Sequence, residues 1–110
     1  MTYTFVFRIR QVYFDQIVEG KKRTEYRKKS RFWMSRVAKI ANKAGVFISP
    51  TRIVFPENPP LGLFLCHHAT HRREILEIRS IDTPTNFSVQ GKTDVNTPTC
   101  FAFVLGDVQE

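Results

Sequence analysis

The chain has 110 residues, 42% of them apolar and 13% aromatic, with ten Phe. That is room for one domain around one core, and too much apolar material for a disordered chain. No apolar run approaches the roughly 18 residues of a membrane-spanning helix, and Met1 to Arg10 lacks the features of a secretory leader. The cysteines, Cys66 and Cys100, are too few and too far apart for a disulfide framework. Each sits at the edge of an apolar run, where a buried free thiol is the common state. These features predict residues 1–110 to be a single cytoplasmic domain. The net charge of +7 is uneven. Residues 1–55 hold thirteen Lys/Arg against three Asp/Glu, and residues 56–110 hold four against seven. Lys21 to Arg36 alone carries eight basic residues and one acid, Glu25. A basic stripe of this kind concentrates polyanions at the surface, or simply solvates it.

Along the chain, residues 3–10 alternate. Tyr3, Phe5, Phe7 and Ile9 fall on one side, Thr4, Val6, Arg8 and Arg10 on the other, as in a half-buried strand. Residues 11–19 switch to helical spacing, pairing Tyr13 with Ile17 and Phe14 with Val18. Gly20 stops that helix, and Lys21 and Lys22 follow where the helix dipole favours cations. As a helical aromatic, Tyr13 is expected in the core. A second strand spans 23–29, with Arg23, Glu25, Arg27 and Lys29 of one parity and Thr24, Tyr26 and Lys28 of the other.

Residues 32–44 read as a helix capped by Ser30 and stopped by Gly45, with Phe32, Trp33, Arg36, Val37, Ile40 and Ala41 at three-to-four spacing. Two short strand candidates, Val46–Ile48 and Arg52–Phe55, precede a rigid turn at Pro56–Pro60. Leu61–His67 and Glu74–Ile81 are further strands. Thr83–Pro98 is a polar loop, and Phe101–Leu105 a last strand expected to be central. The sum is five or six short strands with two early helices, which favours a small closed or nearly closed α+β barrel that leaves little open sheet edge.

The stretch Tyr13 to Arg27 carries the chemistry. It is a helix ended by glycine, then two lysines, then a strand presenting Glu25 and Arg27 on one face, with Lys22 able to lean toward them. This is either a structural ion-pair network or a site for a planar, hydrogen-bonding ligand. Arginine offers a fork for phosphate or a base edge, lysine a point charge, and glutamate an acceptor or a general base. Trp33 either plugs the barrel or stacks a base. Cys66-His67-His68-x-x-His71 has metal-ligand residue types, but adjacent ligands in one short segment do not fill a tetrahedron. An exposed histidine-rich turn is expected there, with no metal and no cofactor.

A strand followed by Phe14-x-x-Ile17-x-x-Gly20-Lys21-Lys22-x-x-Glu25-x-Arg27 resembles the ASCH domain of the PUA-like superfamily. Arg31-Phe32-Trp33 also fits forms found there, and the likeness is sharp over residues 3–33. It implies a PUA-like mixed β-barrel that binds RNA or a nucleotide in a basic cleft beside the first helix. Lys21, Lys22, Glu25, Arg27, Arg31 and Trp33 are then the ligand-binding candidates, and Lys22 and Glu25 the catalytic ones if the protein is an enzyme. Some members of the family cut RNA. Certain small ones hydrolyse acylated cytidines with a lysine, a threonine and a glutamate. Lys22 matches that lysine, whereas Glu25 stands at the threonine position, and strand alternation turns Thr24 to the other face.

Three functions are therefore in play. The first is an RNA or nucleotide binding module, in which losing Lys22 or Arg27 weakens binding more than losing Lys92. The second is a metal-independent ribonuclease or acylated-cytidine amidohydrolase, which needs an acid/base partner from Ser49–Thr51 or Thr70–Arg73. The third is an adaptor whose basic stripe meets an acidic protein.

Overall fold

The computed structural model describes residues 3–43, 46–49, 51–68, 71–83 and 100–109. Its elements in chain order are β1 (Thr4–Ile9), α1 (Gln11–Val18), β2 (Thr24–Lys28), α2 (Arg31–Lys43), β3 (Val46–Ser49), β4 (Arg52–Val54), β5 (Leu61–Cys66), β6 (Arg73–Asp82) and β7 (Cys100–Val108). Both short candidates on either side of Thr51 pair, so the described strands number seven. Gly45 as a helix stop, the loop residues 84–98 and Lys92 lie outside the described residues.

One curled sheet runs β1-β5-β6-β4-β3, and β7 lies between β6 and β2. Its organiser is the ten-residue β6. One edge of β6 pairs with β5 through residues 73–77 and then with β4 through 80–82, while the other edge carries β7. β1 pairs with β5 in parallel, and the remaining pairs are antiparallel. The sheet thus curls until β1 and β2 face each other without pairing. The expected small α+β barrel is the fold found, with its seam between those two strands. β7 is central, as its unbroken alternation of Phe101, Phe103 and Leu105 requires; all three are buried.

Aromatic residues fill the barrel. Phe7 stacks on Trp33 at 5.2 Å and on Phe64 at 4.7 Å, both nearly parallel, and Phe103 meets Phe7 edge-on at 5.0 Å. Offset and edge-on rings of this kind add about 1 kcal/mol per pair to their burial. Gly62 makes room for the column, since a Cβ there would approach Phe64, Ile78 and Phe7 at 2.9–3.1 Å.

Helix α1 buries only Phe14 and Ile17. Tyr13, expected in the core, is 46% exposed, and Val18 is exposed as well. Eight residues packed against β5 bury one narrow stripe, and Phe14 with Ile17 already fills it. Gly20 ends α1 with φ +77°. The Gly20 amide donates to the Ile17 carbonyl and the Lys21 amide to the Gln16 carbonyl, the Schellman pattern that favours glycine at this position. Ser30 caps α2, its Oγ accepting the Trp33 amide at 3.3 Å. Trp33, Val37, Ala38, Ile40 and Ala41 then form the buried face of α2.

Candidate nucleic-acid interface

The seam between β1 and β2 is where the site forms. A cleft of about 350 Å³ opens there. Its β1 side supplies Arg8, Ile9 and Arg10, its β2 side Lys22, Glu25, Tyr26 and Arg27. Tyr13 of α1 and His67 at the end of β5 complete the wall. A volume near 350 Å³ is within the range of small-ligand sites.

Glu25 is the centre of the arrangement. Strand parity turns it inward, and it is only 6% exposed. A carboxylate at that depth needs charged partners. It has two: Lys22 Nζ lies 3.3 Å from Oε1, and the Arg27 guanidinium donates to Oε2 at 2.8 Å. The Schellman turn after Gly20 brings Lys22 back to this position, where its ammonium also faces the Tyr13 ring at 5.4 Å. Arg27 is held on more sides still. It donates to the Arg8 carbonyl at 3.2 Å, a side-chain bond across the seam, and its guanidinium lies over the rings of Phe7 and Trp33 at 5.4 and 5.6 Å. Both oxygens of Glu25 are thereby engaged by the protein itself, so the carboxylate holds two cations in place. Lys29, of the same parity, has its ammonium pushed below the ordinary value by burial, an effect the nearby Cys100 opposes.

Of the residues singled out from sequence, the cleft gathers Lys22, Glu25 and Arg27. Lys21 points away and pairs with Glu19 at 3.1 Å. Arg31 is exposed at the start of α2, outside the cleft lining. Trp33 is buried beneath Arg27, so its ring serves as floor to the arginine and not as a surface for a base. Arg8, Arg10, Tyr13, Tyr26 and His67 were not foreseen as lining. The polar parity of Arg8 and Arg10 was visible, but β1 and β2 meet without pairing, and that has no local signature. His67 arrives through the parallel β1–β5 pair, its amide donating to the Ile9 carbonyl at 2.7 Å.

The histidine-rich turn is exposed at His67, His68 and His71, and Cys66 is buried while Cys100 is half-buried, both free. Thr24 is not in the lining, and no serine or threonine lines the cleft among the described residues. Arg72, from the second segment considered for an acid/base partner, bonds Asp15 at 2.8 Å. Ser49's side chain, Pro50 and Thr70 lie outside the described residues.

The ASCH domain family model matches residues 7–90, which is 84 of the 110 residues and takes in both the seam and the Gly20–Arg27 motif. This chain is an ASCH domain protein. No curated protein and no solved structure gives a match. No helix among the described residues is long and apolar enough to cross a membrane.

Proposed function

We propose that this ASCH domain binds RNA, with one nucleotide of the strand seated in the cleft at the β1–β2 seam. The observation that carries the reading is the charge balance of the cleft. Arg8, Arg10, Lys22 and Arg27 line it, and Glu25, the single acid in the lining among the described residues, has both oxygens occupied by Lys22 and Arg27. An anion entering the cleft therefore meets excess positive charge on side chains already fixed by Glu25, the Arg8 carbonyl and the Phe7–Trp33 floor. Prior fixation lowers the ordering cost of binding. In this reading the phosphate lies against Lys22 and Arg27. The exposed rings of Tyr13 and Tyr26 offer faces for the base, and stacking on such rings is tolerant of base identity.

Binding is favoured over catalysis by the cleft's composition. The lysine of the acylated-cytidine pattern is present, but no threonine accompanies it among the described lining residues, and the glutamate is consumed by its two cations.

The test is fluorescence anisotropy with labelled single-stranded RNA. Arg27→Gln and Lys22→Gln are each expected to weaken binding about tenfold at physiological salt, with a salt slope flattened by roughly 0.7 per lost phosphate contact. Wild-type affinity and slope in both variants would remove the cleft from the binding site.

A further inference from the structure

The cleft accounts for only part of the basic stripe. Helix α2 contributes Arg31, Arg36, Lys39 and Lys43, and over its thirteen residues it has no acid. Arg36, Lys39 and Lys43 are spaced three and four apart and share one side of the helix. Lys39 and Lys43 are exposed and Arg36 half-exposed, opposite the buried face formed by Trp33, Val37 and Ile40. No salt bridge joins any of these cations to a described carboxylate. By contrast, Arg52, Arg72 and Arg79 are tied to Asp82, Asp15 and Asp107. A cationic helix face with no acid of its own to answer it is complementary to a polyanion.

That face is continuous with the cleft. Arg27 of the cleft lies over Trp33, Phe32 meets Trp33 edge-on at 5.4 Å, and the Arg36 guanidinium covers the exposed Phe32 ring at 3.5 Å. From Arg31 the charges then run the length of α2, roughly 20 Å at 1.5 Å per residue. Phosphates of one strand recur every roughly 3.4 Å along the axis of a stacked helix, so this track spans several of them.

We infer that the outer face of α2 is a second contact surface, for the phosphodiester backbone flanking the nucleotide in the cleft. The natural ligand is then a polynucleotide strand and not a free nucleoside or nucleotide. This extension rests on the nucleotide reading of the cleft.

The experiment compares wild type, Lys39→Gln/Lys43→Gln and the cleft variant Arg27→Gln, each binding cytidine monophosphate by calorimetry and a labelled single-stranded RNA of about 12 nucleotides by anisotropy across a salt series. Both lysines are exposed, so the double variant is expected to melt like the wild type. It should keep its affinity for the mononucleotide, lose about tenfold for the RNA at ~0.15 M salt, and show a salt slope flattened by roughly 1.4. An unchanged RNA affinity and slope in the double variant overturns the α2 surface and leaves the cleft reading standing. Conversely, an RNA defect in the double variant with none in Arg27→Gln upholds the α2 surface and overturns the cleft reading.

Discussion

The first half of the chain and the second treat charge differently. From β4 onward, the arginines Arg52, Arg72 and Arg79 each meet a carboxylate across or beside the sheet, and these pairs sit at the solvent surface. From β1 to α2, the one buried acid is shared by two cations, and the cations of α2 have no described carboxylate at all. Those three arginines are each answered by a carboxylate, Arg72 by an acid of the first half, whereas the first half leaves the cations of α2 unanswered among the described residues. The family motif lies wholly within the unanswered half. A structural domain gains little from such an excess, because like charges repel across the folded surface. A binding domain uses it.

The largest expected effect is at the residue the two halves share. Phe7 stacks on Trp33 from the first half and Phe64 from the second, so Phe7→Ala should cost about 3–5 kcal/mol and lower the melting temperature of the whole domain in one transition. Two separate transitions would show that the halves fold independently and would break the comparison. Next is Glu25→Ala, which leaves Lys22 and Arg27 half-buried without their shared acceptor. A loss of about 2 kcal/mol is expected in chemical denaturation, with Glu25→Gln recovering part of it. A neutral Glu25→Ala would mean the carboxylate does not hold the cations, and the cleft's pre-organisation would go with it. Smallest is Asp82→Ala, which breaks the exposed Arg52–Asp82 pair. It should cost no more than about 0.5 kcal/mol, and a cost as large as that of Glu25 would erase the contrast between surface and seam.

Much of this was legible in the sequence, and the reason is local. Parity placed Glu25 and Arg27 together, because strand alternation needs only two residues to declare itself. Gly20 announced the end of α1, because the Schellman turn demands a left-handed residue. Tyr13 was misread because a helical stripe tells which residues share a face, not how wide a face the neighbouring sheet will cover. Arg8 and Tyr26 were missed for a different reason. They come together across the unpaired gap between β1 and β2, which follows from the path of the whole sheet. For Trp33 two readings were open, plugging the barrel or stacking a base, and the structure buries its ring. What sequence did not show is that Arg27 rests on its ring, so the core tryptophan supports the cleft without touching what enters it.

The sheet order also bears on how the protein is made. β2 carries Glu25 and Arg27, and its strand partner is β7, so Thr24 pairs with Val104 across 80 residues of chain. Contacts of such long range form late, because a large loop must close before they repay it. On a ribosome, α1 and α2 emerge early with their cations, while the strand bearing the motif waits for its hydrogen-bonding partner until β7 has been synthesised. The nascent chain is therefore basic long before it has a cleft.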